Sequence, residues 1–335
     1  MPRGRSRSDG PALRERPFHR WLATTLTGAG RGVLPLGDDT AALPIGGGRV
    51  ALLTTDALVE GTHFLRASPP RSIGHAVATV SLSDIAAKGG RPVGFLLDLL
   101  VPPGTPERWA REVALGAEEQ LERFGAHLVG GDTKPAGRRA AIGSLFGLGR
   151  SDRLAPRAGA RAGDVVVVTG AVGRGGYDAL SAAGRGRATR ARLAHWLEIA
   201  PRVAEGPALV AFAHAMTDTS DGVAESAHLI AEASRCRLVV TADDLPIYPA
   251  LTRRFPDAAH RLRAAFFGGD YELFAALRPS DLGRARRALL RFGCPLTVVG
   301  RVERGHGAWL EVGGRVRPMP RAGWRSFEGR HRPRP

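Results

Sequence analysis

The chain has 335 residues with a hydrophobic fraction of 43%, which is ordinary for a globular protein and excludes wholesale disorder. No apolar run approaches the ~20 residues of a membrane helix, and no signal-peptide core follows the basic N-terminus, so a cytoplasmic protein without membrane contact is expected. The net charge is +16, because 48 basic residues outnumber 32 acidic ones. The basic residues are scattered along the chain and do not alternate with aromatic residues, so no specific nucleic-acid binding is expected.

The first half of the chain alternates apolar β-type runs with Ala-rich helical stretches. Residues 1–12 are expected to form a disordered tail. The predicted strands cover 49–56, 92–102, 126–133 and 140–149. The predicted helices cover 72–89 and 106–125, and both end at glycine. This half is predicted to be an α/β domain over 13–150.

An Arg-, Gly- and Ala-rich stretch without periodicity, 150–163, marks a seam between two halves. After it, strands are predicted over 164–170, 236–242, 271–277 and 296–302. Helices are predicted over 174–185, 221–235 and 281–293. The pattern predicts a second α/β (α+β) domain over 151–327, with a tail over 328–335.

Several apolar runs end at a small or hydroxylated residue followed by aspartate. The five stations are Asp38 with Asp39, Thr54-Thr55-Asp56, Ser83-Asp84, Asp132, and Asp218 with Ser220 and Asp221. One such station is typical of a turn or a helix N-cap. Five stations in both halves predict carboxylates that converge, and converging carboxylates require cations. Because Mg²⁺ prefers oxygen ligands and is often shared with phosphate, the pattern predicts a metal-and-phosphate site.

The sequence offers no evident covalent nucleophile. It contains no Walker A motif, no dinucleotide-binding glycine motif after a strand and no protein-kinase catalytic set. No Ser-His-Asp or Cys-His pairing stands out either. A site with several metal ions and no nucleophile favours direct phosphoryl transfer, in which positioning and charge neutralisation lower the barrier.

Seven motifs carry a family resemblance over roughly residues 13–327: "GDDTA", "TTDALVEGTHF", "SLSDIAAKGGRPVGFLL", "GGDT", "RAGDVVVVTG", "DTSDG" and "GGDYEL". In these motifs and their order the chain resembles the thiamine-monophosphate kinase family of the aminoimidazole ribonucleotide synthetase-like superfamily. The resemblance implies a two-domain fold whose N-terminal domain dimerises through its sheet and whose C-terminal α/β domain covers an ATP cleft. It also implies a homodimer that phosphorylates thiamine monophosphate to thiamine diphosphate, with ATP as co-substrate and several Mg²⁺ ions.

The resemblance also implies roles for individual residues. The implied magnesium ligands are Asp39, Thr54, Thr55, Asp56, Asp84, Asp132, Asp218 and Asp221. The implied ATP-binding residues are Gly131, Arg157 and Ser220, and the implied substrate-binding residues are His63, Asp270 and Trp324. Asp38 is expected to assist Asp39 as its neighbour. Without the resemblance, His63 is interpreted as an ordinary surface histidine, Arg157 as part of the seam and Trp324 as a packing residue.

One departure affects the substrate. The family usually has "GGEDYEL", whereas this chain has "GGDYEL" at 268–273, one residue shorter and without a glutamate that faces the substrate. Either Asp270 replaces that glutamate with a shorter reach, or Glu272 is only structural. The alternatives that stay open are an aminoimidazole ribonucleotide synthetase-like enzyme and a catalytically silent nucleotide-binding module.

Overall fold

The computed structural model describes residues 13–28, 30–183, 194–195 and 197–324. The predicted tails at 1–12 and 328–335 lie outside the described residues, as do 325–327 at the end of the predicted second domain. Within the described part of the chain, no helix combines the length and the apolar character that crossing a bilayer requires.

The N-terminal half is a five-stranded sheet with helices on one face. Its strands are β1 (Ala41–Gly46), β2 (Arg49–Val59), β3 (Arg91–Val101), β4 (His127–Pro135) and β5 (Ala140–Arg150). They lie in the order β1-β2-β5-β3-β4, and the β3–β4 pair is parallel while the others are antiparallel. A helix connects β3 to β4, because a parallel pair needs a crossover.

Three helices belong to this half: α1 (Glu15–Thr25), α2 (Pro70–Ala87) and α3 (Glu107–Glu122). Helices α2 and α3 cross at very short range. A Cβ atom added to Gly74 of α2 would lie 2.0 Å from the carbonyl oxygen of Val113, and one added to Gly116 of α3 would lie 1.9 Å from that of Arg71. The absence of side chains at these two glycines therefore sets the distance between the helices.

The opposite face of the five-stranded sheet is exposed and carries a patch of apolar side chains. We call it the outer sheet face; its exposed apolar members are Leu43, Ile45, Leu53, Leu96, Val129 and Phe146. Contiguous exposed apolar surface in a soluble protein is typical of an interaction surface.

The C-terminal half is a seven-stranded sheet, in the order β12-β11-β8-β10-β6-β9-β7. Its strands are β6 (Val165–Thr169), β7 (Ala213–Asp218), β8 (Arg237–Thr241), β9 (Leu273–Leu277), β10 (Leu296–Glu303), β11 (Gly307–Val312) and β12 (Arg315–Pro318). The helices assigned in this half are α4 (Arg174–Ala183), α5 (Gly206–Leu209), α6 (Val223–Ser234), α7 (Pro249–Arg254), α8 (Ala258–Ala265) and α9 (Leu282–Leu290).

The two halves share one hydrophobic core. Buried side chains of α2 and the first sheet pack in a single cluster with Met216 of β7, Leu273 and Ala275 of β9 and Leu209 of α5. The other face of the second sheet packs in a separate cluster with α6, through residues such as Phe274 and Ile230. Helix α2 thus lies between the halves, and the end of β7 reaches its polar side.

The predicted strands and helices of the first half are confirmed as β2 to β5, α2 and α3, with ends that differ by a few residues. In the second half, β6, β8, β9, β10, α6 and α9 match predictions, and α4 matches over the described residues. Strands β1, β7, β11 and β12 are not among the predicted elements. Strand β1 contains Pro44 and ends at Gly46, and β12 is four exposed residues, so neither has an apolar period that a sequence reading detects.

Candidate active site

Three aspartates from distant parts of the chain meet where α2 lies between the two sheets. Asp39 precedes β1, Asp84 is on α2, and Asp218 is the last residue of β7. Carboxylate oxygens of these three residues lie within 4.8 Å of one another. Three of the five predicted aspartate positions therefore lie together. Asp39 and Asp218 are distant in the sequence, and the core shared by the two halves brings them close.

Hydroxyl groups hold the carboxylates in place. Thr54 of β2 donates a hydrogen bond to Asp84, and Ser81 of α2 donates to Asp56 at 3.3 Å. Thr54 and Asp56 lie two apart on a strand, so both side chains point to the same face, which is the face that α2 covers. The third hydroxyl, on Ser83 of α2, donates to Asp218 at 2.6 Å across the boundary between the halves.

The turn after β7 contributes the second carboxylate of the "DTSDG" motif. Ser220 donates its hydroxyl to Asp218 at 2.8 Å, and Asp221 follows at the cleft surface. Gly222 has φ +92°, and a Cβ atom there would lie 2.4 Å from the carbonyl oxygen of Phe266. Only glycine fits this conformation and this contact. Gly222 is the last residue of the turn, and α6 begins at the next residue, Val223.

The carboxylates of the cluster repel one another. Burial, together with the charge of Asp218, raises the pKa of Asp56 to about 6 and that of Asp221 to about 7. The pKa of Asp84 is raised well above its ordinary value by burial and by the charges of Asp56 and Asp218. Burial and the charge of Asp39 raise the pKa of Asp218. Without a cation, these carboxyl groups hold their protons to a higher pH than usual. A hard cation would offset their negative charges, and carboxylate oxygens are the ligands that it prefers.

Asp38 and Asp39 lie in a different electrostatic environment. The ammonium of Lys88, a fully buried residue, lies 2.6 Å from Asp38 Oδ1 and 2.7 Å from Asp39 Oδ2. The guanidinium of Arg157 pairs with Asp39 Oδ1, and Thr217 donates to the same oxygen at 2.8 Å. Burial would raise the pKa of Asp39, but Arg157 and Lys88 outweigh it and lower the pKa below its ordinary value. Asp39 is therefore ionised and fixed.

A cleft of about 700 Å³ opens in front of the carboxylates. Of the residues predicted from the sequence, it is lined by Asp39, Thr54, Thr55, Asp56, His63, Asp84, Arg157, Ser220, Asp221 and Trp324. The rings of His63 and Trp324 lie 5.2 Å apart, centroid to centroid, and form one side of the cleft. The backbone N–H of Trp324 donates to the carbonyl oxygen of Asp221 at 3.2 Å, which holds the aromatic side against the "DTSDG" turn.

Three of the residues predicted to bind metal or ATP lie away from the carboxylate cluster. Thr55 points to the outer sheet face, where its hydroxyl lies 3.0 Å from that of Ser144, although it also reaches the cleft rim. Asp132 is on β4, exposed, and bonded to Lys134 at 2.8 Å. Gly131 precedes it on the same strand. Because alternate residues of a strand face opposite sides, neighbours in the "TTD" motif cannot all reach one cluster.

The shortened "GGDYEL" segment separates its two carboxylates. Asp270 is buried and does not line the cleft; it accepts backbone hydrogen bonds from Gly173 at 2.7 Å and Gly175 at 3.0 Å, at the start of α4. Glu272 is also buried and pairs with Arg202 at 2.6 Å. Tyr271, with φ +54°, lies between them and does line the cleft. In this segment the carboxylates therefore have structural partners, and Tyr271 lines the cleft together with Gly268 and Gly269.

Sequence reasoning missed Lys88 and Tyr271, and it missed the side chains of α1 that line the cleft rim, Arg16, His19 and Arg20. One signal for Lys88 was available. The chain has 48 basic residues, of which Lys88 and Lys134 are the only lysines, so a lysine in an arginine-rich chain marks a position where arginine does not fit. No sequence signal identified the cleft residues of α1. This helix is exposed and amphipathic, and such a pattern is common in helices that have no role in a site.

Comparison with known proteins supports the fold. The model of the AIR synthase related protein N-terminal domain matches residues 37–150, and that of the C-terminal domain matches residues 161–312. The first match ends at residue 150 and the second begins at residue 161. They confirm the predicted fold class, a two-domain AIR synthase-like α/β arrangement.

Curated relatives and solved structures agree with this match. The chain is 31% identical to the thiamine-monophosphate kinase of Pyrococcus horikoshii over 83% of this chain and 86% of that protein. It is 36% identical to the thiamine-monophosphate kinase of Halobacterium salinarum over 79% of this chain and 92% of that protein. The solved structure of AaThiL complexed with AMPPCP and TMP has a TM-score of 0.75 and 27% identity, covering 93% of this chain and 95% of that one.

Proposed function

Because the chain belongs to the thiamine-monophosphate kinase family of AIR synthase related proteins, we propose that it transfers the γ-phosphoryl group of ATP to thiamine monophosphate and releases thiamine diphosphate. The observation that carries this proposal is the set of converging carboxylates at one side of a cleft whose other side is the pair His63 and Trp324. One side suits phosphates with metal ions, and the other suits a flat heterocycle.

The donor set fits magnesium. It consists of oxygen atoms, and burial, followed by the charges of neighbouring carboxylates, raises the pKa values of Asp56, Asp84, Asp218 and Asp221. We propose that these residues, with Thr54, hold several Mg²⁺ ions. Asp39 lies beside them, but its two oxygens are paired with Lys88 and Arg157. Such ions neutralise phosphate oxygens and lower the repulsion between the two anionic reactants. Thr55 would contribute only from the cleft rim.

Two residues are proposed to bind the phosphates of ATP. Arg157 is held in position by Asp39 and by the carbonyl oxygen of Gly37, which its Nη1 atom reaches at 2.6 Å. Its guanidinium lines the cleft, where a fixed positive charge stabilises the phosphoryl group in transfer. Ser220 lies on the same cleft wall, and its hydroxyl hydrogen bond to Asp218 orients it.

The acceptor needs no general base. A phosphate monoester has its second pKa near 6, so thiamine monophosphate is largely a dianion at neutral pH and is already a nucleophile. The chain must bring it close to the γ-phosphate, and we propose that Trp324 and His63 do so by holding the thiamine rings. Asp270, which the sequence predicted beside the substrate, is not part of this proposal because its carboxylate caps α4 from a buried position.

We also propose a cytoplasmic homodimer that forms through the outer sheet face. The exposed apolar side chains there, such as Leu96, Val129 and Phe146, would be covered by the same face of a second copy. Gly131 and Asp132 lie on β4 of this sheet, so their predicted roles in binding ATP and metal stay predictions that depend on the dimer.

The test is product formation. Purified protein with ATP, Mg²⁺ and thiamine monophosphate should yield thiamine diphosphate, and Asp221→Asn should abolish it while leaving the folded state intact. ATP binding without product would refute the acceptor and favour the aminoimidazole ribonucleotide synthetase-like alternative. Failure to bind ATP in the presence of Mg²⁺ would refute the site as a whole.

A further inference from the structure

Lys88 occupies an unusual position for a lysine. It follows the last residue of α2, and its side chain is fully buried between the two halves of the protein. Its ammonium contacts four oxygen atoms: Asp38 Oδ1 at 2.6 Å, Asp39 Oδ2 at 2.7 Å, the carbonyl oxygen of Ala155 at 2.9 Å and that of Met216 at 2.8 Å. A buried charge is tolerated only when it is paired and hydrogen-bonded to this extent.

The contacts of Lys88 are those of a cation in an oxygen cage. Two carboxylates and two carbonyls surround one positive charge. The three N–H groups donate to Asp38 and to the two carbonyls, and Asp39 Oδ2 contributes an ion pair. The same ligand types, carboxylate and carbonyl oxygens, bind hard metal ions. The helix end adds to the effect, because the C-terminus of a helix favours positive charge.

Charge compensation divides the cleft into two regions. Asp38 and Asp39 carry two negative charges and are paired with two cationic side chains, Lys88 and Arg157. In contrast, within the part of the chain that the structure describes, Asp56, Asp84 and Asp218 form no ion pair with a basic side chain. Only the second region lacks compensation by side chains and requires metal ions for it.

From this division we propose that Lys88 is a built-in cation that takes the place of a divalent ion at Asp38 and Asp39. The cleft then holds one divalent ion fewer than its aspartates would otherwise bind. Lys88 also fixes Asp39 so that its other oxygen, Oδ1, orients Arg157 towards the cleft. Lys88 is thus a positioning residue for phosphate binding, and the proposal rests on the magnesium-dependent function proposed above.

The experiment counts bound metal ions. The full chain, stripped of metal, is titrated with Mn²⁺ in the presence of β,γ-methylene ATP, and free Mn²⁺ is measured by electron paramagnetic resonance. Lys88→Ala leaves a polar space for a hydrated ion beside two aspartates, so this variant should bind one more Mn²⁺ per chain than the wild type. Its Tm in chelator should fall by roughly 6–15 °C, because one partner of a buried ion pair is lost, and saturating Mn²⁺ should restore most of that loss.

Two further variants serve as controls. Thr217→Val removes the hydrogen bond to Asp39 at 2.8 Å without changing charge, so its metal count should equal that of the wild type. The double variant Lys88→Ala/Asp38→Asn restores the charge balance and should not gain the extra ion. A Lys88→Ala chain that binds the wild-type number of ions, or that Mn²⁺ does not restabilise, would overturn the inference. A wild-type chain that binds no Mn²⁺ at all would contradict the proposed function instead.

Discussion

Asp218→Asn should make the metal-free protein more stable while it abolishes activity. Burial raises the pKa of Asp56, Asp84 and Asp221, and the charge of Asp218 raises each of these pKa values further. The asparagine can keep the local hydrogen bonds, since its oxygen can accept from Ser220 and its amide can donate to the Ser83 hydroxyl. What the substitution removes is mainly electrostatic repulsion.

The expected size follows from distance and burial. Oxygens of Asp84 and Asp218 lie within 4.8 Å, and two unit charges at that separation repel by about 3.5 kcal/mol at an effective dielectric constant of 20. The wild type avoids part of this repulsion by binding protons. We therefore expect the free energy of unfolding of Asp218→Asn in chelator at pH 8 to exceed that of the wild type by about 2 kcal/mol.

The pH dependence has a definite sign. The pKa values of Asp56 and Asp221, about 6 and about 7, lie above the ordinary value of 3.8. A carboxyl whose pKa is raised on folding destabilises the folded state above that pKa, and this effect is lost as the pH falls towards the unfolded value. The advantage of Asp218→Asn should therefore be largest near pH 8 and should shrink towards pH 5.

Urea unfolding with and without Mg²⁺ measures these differences. Mg²⁺ should stabilise the wild type strongly and the variant little, which reverses their order. Asp164→Asn is the matched control, because Asp164 is buried and pairs with His214 at 2.9 Å outside the cleft, so this substitution should destabilise at pH 8. If Asp218→Asn in chelator is no more stable than the wild type, or if its advantage is independent of pH, the carboxylate cluster is not under repulsion and the reasoning is refuted.

Three other substitutions test separate parts of the structure. Trp324→Ala should raise the KM for thiamine monophosphate by about tenfold and leave that for ATP unchanged, whereas Trp309→Ala, on β11 away from the cleft, should change neither in steady-state assays. Gly74→Ala should lower the free energy of unfolding by about 2 kcal/mol or more, because its Cβ atom would lie 2.0 Å from a carbonyl oxygen of α3. Gly137 has open space around it, so Gly137→Ala should show no such loss when both variants are unfolded thermally. Burial raises the pKa of Asp270 from the ordinary 3.8 to about 7, so this carboxyl should lower wild-type stability as the pH rises from 4 to 7. Asp270→Asn should remove up to about 4 kcal/mol of that decline, as measured by urea unfolding.

The sequence predicted that aspartates converge, but it did not predict how individual side chains are oriented. Aspartates after apolar runs predicted a cluster, and the cluster formed by Asp39, Asp84 and Asp218 exists because strand ends and one helix face meet at the shared core. The same pattern could not tell Thr54, which faces Asp84, from Thr55, which faces outwards, because strand orientation depends on which face the core covers.

Other residues could not be predicted, for reasons of tertiary contact. The partner of Asp270 is the backbone at the start of α4, ninety-odd residues earlier in the chain, and only the fold brings the two together. Lys88 contacts atoms of three distant segments, at Asp38 and Asp39, at Ala155 and at Met216, and these contacts are complete only when both halves are folded. Buried polar groups with distant partners are the residues for which single-sequence reasoning has least information.

The continuous core between the two sheets limits how the cleft can open. Met216 and Leu273 pack in one cluster with α2, so a hinge between the halves would expose apolar surface and break the contacts of Lys88. We therefore expect the halves to move as one body during turnover. Entry of nucleotide and exit of product would then depend on the rim of the cleft, which includes side chains of α1 and Trp324. Exchange of nucleotide and product is accordingly expected to involve local motion at this rim, with the two halves staying in their relative positions.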